Sequence, residues 1–320
     1  MLDGDGGPAV PGQTVVAAGG LIEWVGPAAT VLPPPGAVMV DGSGATLLPG
    51  FVDAHVHLGF YPPAQVLAGG LTTVRDLGWP PGRLAALAEE AAAPWSASPR
   101  LLAAGQIVTV PGGYPTRAPW APPGTARPVS GVAEAVRAVA ELAAAGAAVI
   151  KVALDDRVGP TLPAAVLAAL VRAAAEHGLG VTAHVGTAAE AAKALVAGVG
   201  ELAHWPFDPS PARRAGVRWF LARGGRVVYG TDLGNQGPPP GVDVEELRLL
   251  VETGLRPGQA LAAATSLAAA HLGLAGTGRV APGARADLLL VDGDPLEDLT
   301  ALERVLLVTR DGHIAANSGR

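Results

Sequence analysis

Asp53, His55 and His57 occupy alternate positions in Gly50-Phe51-Val52-Asp53-Ala54-His55-Val56-His57-Leu58. Alternation of apolar and polar residues at period 2 predicts a β-strand carrying all three polar side chains on one face. Residues two apart on a strand are about 6.6 Å apart along the backbone. Two imidazoles at that spacing can converge on one ion, and His is the commonest metal-ligating side chain. Taken alone, the pair reads equally well as two polar residues on a strand. The rest of the chain bears on that choice.

From about Pro49 the sequence alternates apolar strand candidates (50–58, 71–77, 100–109, 147–154, 180–186, 201–205, 226–232) with Ala/Leu-rich helical stretches (81–93, 131–145, 163–177, 187–197, 212–223). Such alternation predicts an α/β fold with a parallel sheet covered by helices. A long series of these units favours a closed TIM-like (β/α) barrel. No Gly-x-Gly-x-x-Gly follows the first strand, so a dinucleotide-binding fold lacks its fingerprint. Eight strands are expected, but only seven are countable. The 27 residues between His204 and Asp232 hold one helix and the last strand, which leaves the barrel one strand short unless Gly216–Trp219 is a remnant.

Before this region, β-like runs at Thr14–Ala18, Leu21–Val25 and Ala37–Val40 are separated by turn signals. Helices at 243–253 and 257–272 are followed by further β-like runs at Ala286–Val291 and Arg304–Arg310. The expected organisation is therefore a discontinuous β-sandwich built from residues 1–48 and 279–320, beside a barrel of residues 49–278.

Barrel active sites gather at the C-terminal ends of the strands. His55, His57, His184, His204 and Asp232 fall there, and the 147–154 strand carries Lys151. Lys151 stands out because the chain has only two lysines among its 22 basic residues, and this one lies inside an apolar strand. His177, His271 and His313 read as capping or solvated. Asp53 sits deeper than the histidines and reads as a supporting residue. Arg75 could grip a substrate carboxylate bidentately or form a structural ion pair. Tyr114 and Tyr229 could position substrate, although packing explains either. The 110–128 and 234–241 loops could cover the site.

The segments LLPGFVDAHVHL, LTTVRDLG, VIKVAL, TAHV, ELAHW, YGTDLG and GRVAPGARADLLLVDGDP together resemble the amidohydrolase superfamily of metal-dependent hydrolases. The likeness is greatest to the branch holding imidazolonepropionase-like proteins and zinc-dependent Xaa-Pro dipeptidases. The resemblance implies that His55, His57 and Asp232 hold one metal ion and His184 and His204 a second. Lys151, carboxylated by CO2, would bridge them. Desolvation and nearby cations lower a buried amine's pKa and free it for that reaction. The implied activity is hydrolysis of a C–N bond in a dipeptide, N-acyl compound or cyclic amide, or of an ester. A bridging hydroxide would attack the carbonyl, with Asp232 as the proton carrier. Zinc suits these ligands best, although other divalent ions compete. Two other readings stand beside it: a mononuclear imidazolonepropionase-like hydrolase, and a barrel that binds metal or ligand without catalysis.

Composition narrows the partners. With 49% hydrophobic and 16% charged residues the chain can bury a core. A net charge of −6 and a pI of about 5.6 give no reason to expect nucleic acid or an anionic membrane as partner. The absence of cysteine excludes thiolate ligands and disulfides. No signal peptide or span of about 20 apolar residues is visible. The expectation is a cytoplasmic protein acting on a small molecule, with a homo-oligomer allowed but not required.

Overall fold

The computed structural model describes residues 1–93, 95–206, 211–234 and 237–318, with 211–213 described by backbone alone. The Phe51–Val56 strand pairs in parallel with Leu71–Asp76, which pairs with Arg100–Ala103. A second parallel sheet runs Glu201–Leu202, Val181–Val185, Ile150–Leu154, Ile107–Thr109, Ala126–Pro128. Helices connect most successive strands, as the alternating sequence pattern predicts, but Arg100–Ala103, Ile107–Thr109 and Ala126–Pro128 follow one another without one. Every residue of Phe51–Val56, Leu71–Asp76, Ile150–Leu154 and Val181–Val185 is buried, as expected for parallel strands covered on both faces. The Val132–Ala144 and Ala164–Glu176 helices pack small Ala faces and Leu142, Leu167 and Leu170 over Ile150, Val152 and Leu154. Each fully buried Leu or Ile contributes about 1.5–3 kcal/mol.

Three expectations change. The single strand over 100–109 is two strands in different sheets, because Gly105 turns the backbone at φ +81°. The sheets stay in touch there, with Ala148 N donating to Ala103 O at 2.8 Å. The stretch 226–232 forms no regular strand, yet it lies alongside Phe51–Val56. Ala54 N donates to Tyr229 O, Asp232 N to His55 O and His57 N to Leu233 O, at 2.8–3.0 Å. Regular pairing breaks at Asp232, whose φ is +55°, a region a non-glycine residue seldom occupies. Ala37–Val40 forms no strand; it follows Pro33-Pro34-Pro35, and Val38, Met39 and Val40 are exposed.

Both ends of the sequence contribute to one antiparallel sheet, in the order His313–Asn317, Val305–Arg310, Leu288–Asp292, Ala45–Pro49. The Gln13–Ala18 and Leu21–Pro27 hairpin turns at Gly19-Gly20, both at positive φ.

Between His204 and Asp232 the described residues hold the Pro211–Leu221 helix and no additional strand. No β-ladder among the described residues joins Glu201–Leu202 to the 226–233 stretch. Polar side chains span this seam instead. Glu201 accepts from Arg75 at 3.1 and 2.5 Å, from Thr182 at 2.9 Å, and pairs with His271 at 2.7 Å. Burial pushes the Glu201 carboxyl up, but the bonds from His271 and Arg75 outweigh it and hold the group well below the usual range. A carboxylate depressed on folding contributes stability that is present above its unfolded pKa and is lost as pH falls through the lower folded one. Removing the carboxylate would strand the buried Arg75 charge. Glu201→Ala is expected to destabilise the protein by about 3 kcal/mol in urea titrations at neutral pH, with the deficit shrinking under strong acid.

Candidate metal centre

The strand ends converge as their positions in sequence predict. His55 and His57 project from the end of Phe51–Val56 towards Asp232. Their Nε2 atoms lie 3.1 and 3.3 Å from the same Asp232 oxygen. The three residues' ligand atoms all fall within 4.8 Å of one another. A second group stands beside them: His204 Nε2 lies 2.8 Å from His184 Nδ1, and the His55 and His204 rings stack with centroids 6.1 Å apart. His55, His57, Lys151, His184 and Asp232 line one pocket.

Hydrogen bonds outside the pocket fix which nitrogen each ring presents. His55 Nδ1 meets Ala203 O at 3.1 Å, His57 Nδ1 meets Gly78 O at 3.2 Å, and His204 Nδ1 meets Trp205 O at 3.0 Å. A carbonyl oxygen only accepts, so each Nδ1 carries the proton and each Nε2 keeps its lone pair. His184 is turned the other way, with Nε2 3.4 Å from Asp155 Oδ2 and Nδ1 facing His204. A proton or a cation between these two nitrogens satisfies both. Burial lowers the pKa of His55 to about 4 and also lowers those of His184 and His204. Neutral imidazole is the form that ligates metal.

Lys151 supplies the most direct test of fit. It is 2% exposed, and its Nζ is buried with no hydrogen-bond partner. Burial lowers its pKa to about 7, against the pull of Asp232 and Glu201. A buried amine left unsatisfied is costly, and at neutral pH a large share of it is unprotonated and nucleophilic. The donor set of imidazole nitrogens, carboxylate oxygen and a free amine fits a divalent metal site.

Asp53 anchors the segment that carries Asp232. Its carboxylate accepts from His55 N at 2.9 Å, Thr231 N at 3.2 Å and Thr231 Oγ1 at 2.6 Å. It thus ties the His55 strand to the irregular backbone at Asp232. Asp155, immediately after the Ile150–Leu154 strand, does the same for His184. Arg157 donates to both its oxygens at 2.8 and 2.7 Å. Gly186 leaves room for it, since a Cβ there would collide with the Asp155 carboxylate. Asp155→Asn is expected to weaken metal binding at the His184 side by about 10- to 100-fold, read by competition with a chromogenic chelator.

Other candidates fall elsewhere. Arg75 is buried, donates from Nε to Ala54 O at 2.8 Å and is paired with Glu201. Its guanidinium is a structural partner with no fork left for a substrate carboxylate. Tyr229 is fully buried, packs edge-on against Phe51, and its hydroxyl accepts from Asp243 N at 2.7 Å. It supports the fold rather than facing the pocket. His271, expected to be capping or solvated, pairs with Glu201. Tyr114 does line the pocket, its ring stacked on His184 with centroids 4.5 Å apart. Residues 235–236 of the 234–241 loop lie outside the described residues. Asp155 and Trp120 were not singled out by the sequence. Asp155 has a signal there, as a carboxylate directly following the strand of Lys151.

The model of the amidohydrolase family matches residues 46–213 and 210–315, most of the chain. The chain belongs to the amidohydrolase family. A putative prolidase from Bifidobacterium longum is similar in structure, with a TM-score of 0.85 and 26% identity over 98% of this amidohydrolase and 92% of that chain. A Xaa-Pro dipeptidase with methionine bound in its active site shares the fold, with a TM-score of 0.80 and 24% identity over 94% of each chain. A short stretch of 41 residues is 54% identical to an imidazolonepropionase from Salinispora arenicola, covering 13% of this chain and 10% of that protein. No described helix is long and apolar enough to cross a membrane.

Proposed function

We propose that this amidohydrolase is a binuclear metal-dependent hydrolase of C–N bonds. The observation that carries the reading is the buried, unpartnered Lys151 Nζ in a pocket shared with His55, His57, His184 and Asp232. His55, His57 and Asp232 would hold one ion, and His184 and His204 the other. Lys151, carboxylated by CO2, would supply an anionic bridge that satisfies its orphaned nitrogen. When bound, a pair of divalent ions acidifies water and polarises a carbonyl; zinc is the metal best suited to this donor set.

The chain's own groups supply the rest. The Asp232 carboxyl faces the His55 and His57 Nε2 atoms at 3.1 and 3.3 Å, and as a carboxylate it is both a metal ligand and a proton acceptor. Asp232 would pass that proton to the leaving nitrogen, without which an amide anion would have to depart. The Asp53–Thr231 bonds keep the carboxylate in place through both transfers. Dipeptides, N-acyl amino acids and cyclic amides are the substrate classes to screen, with esters as a variant of the same acyl chemistry.

The test is hydrolysis of such a panel by protein stripped with chelator and then reloaded with zinc in bicarbonate. Activity that disappears on stripping and returns on reloading is the expected result. Hydrolysis unchanged by stripping, or absent from a fully loaded protein across the panel, would contradict the reading.

A further inference from the structure

The chain is poor in aromatic residues: 4% of the total, with six tryptophans, three tyrosines and four phenylalanines. Several of them nevertheless gather over the metal centre. Trp120 lies over His57 with ring centroids 4.9 Å apart, and Tyr114 lies over His184. Trp120 Nε1 donates to the Tyr114 hydroxyl at 3.0 Å. Phe60 backs Trp120 at 6.2 Å and Trp79 at 5.0 Å. The 110–128 loop therefore carries one aromatic ring onto each half of the centre.

The remainder of the pocket lining is Ile107 and Ala153. Among the described lining residues the one basic side chain is Lys151, which sits with the metal ligands. Arg75 is held by Glu201 and Arg157 by Asp155. A substrate carboxylate remote from the scissile bond would meet aromatic and aliphatic surface, with the Asp232 and Asp155 carboxylates close by. A flat uncharged group would instead meet the Tyr114 and Trp120 rings, whose centroids are 6.2 Å apart with their planes at 55°. Having accepted from Trp120, the Tyr114 hydroxyl still has its own proton to donate.

We propose that Tyr114 and Trp120 form an aromatic clamp that selects neutral amides bearing a flat aromatic acyl group, over substrates that end in a free carboxylate. The proposal rests on the hydrolase reading for its catalytic consequence, but the selection itself is a binding property. Trp120 supplies the stacking face, and Tyr114 holds Trp120 in place while offering an O–H to a neutral acceptor on the substrate.

The experiment compares N-benzoylglycinamide, N-benzoylglycine and N-acetylglycinamide, which differ by one charge or one ring. Hydrolysis is followed with the zinc-loaded protein, and binding by calorimetry with metal-free protein. The expected result is that N-benzoylglycinamide exceeds each of the others by about tenfold in kcat/KM and in affinity. Trp120→Ala should erase the preference for the ring with metal content unchanged, and Trp120→Phe should retain most of it. Equal or better use of N-benzoylglycine, or an undiminished ring preference in Trp120→Ala, would overturn the clamp. If the loaded protein hydrolyses none of the three while binding keeps the preference, the clamp stands and the hydrolase reading fails. If binding shows no preference, the clamp fails whatever the hydrolysis.

Discussion

Asp232→Asn is expected to lower kcat by about 10²- to 10⁴-fold, with a much smaller change in KM. The substitution keeps the side chain's shape but removes the charge that His55 and His57 both face at 3.1 and 3.3 Å. It also removes the group that would carry the proton to the leaving nitrogen. Substrates whose leaving group needs no proton distinguish the two losses. An activated ester should lose far less than an amide if proton transfer dominates, and equally if metal binding does. Steady-state kinetics on matched amide and ester substrates make the comparison. A variant with wild-type amide turnover would remove Asp232 from the chemistry.

The second large effect concerns Lys151. Lys151→Met is expected to abolish detectable amide hydrolysis, a loss of at least about 10³-fold, on the scale of losing an essential catalytic group. Its effect on the metal-free fold should have the opposite sign. The wild-type amine is buried without a partner, and replacing an unsatisfied buried polar group with an apolar one of similar size is neutral or stabilising. Metal-free Lys151→Met should therefore unfold in urea at the same or a higher midpoint than metal-free wild type, by up to about 2 kcal/mol. Lost activity with intact stability assigns Lys151 to the site. Lost activity with lost stability would make it a packing residue.

Much of the centre was legible in the sequence because strand ends are a strong constraint. His55 and His57 share a face by period 2, His184 falls near the C-terminal end of Val181–Val185, and Lys151 lies inside the neighbouring Ile150–Leu154 strand, so a parallel arrangement brings them to one pocket. What the sequence could not show is which groups meet across elements far apart in the chain. Arg75 and Glu201 are 126 positions apart, and nothing local to either says that they pair. Their pairing turned a candidate substrate-binding arginine into a brace. His271 looked like a helix-end residue and is one, at the end of Ser266–His271, but its ring reaches Glu201 at the seam. The division of 100–109 into two strands depends on a single backbone angle at Gly105. The shortage of sequence between His204 and Asp232 was visible, and the described residues there hold no further strand. The use of Glu201, Arg75 and His271 to span the seam was not visible.

The central claim is a lysine-bridged pair of ions, and metal content tests it most directly. Wild type and Lys151→Met are purified without chelator from zinc-supplemented growth, and metal per chain is measured by mass spectrometry. The account predicts about two ions per wild-type chain and one or none in the variant. One ion in both proteins, or two in both, would contradict a bridge at Lys151.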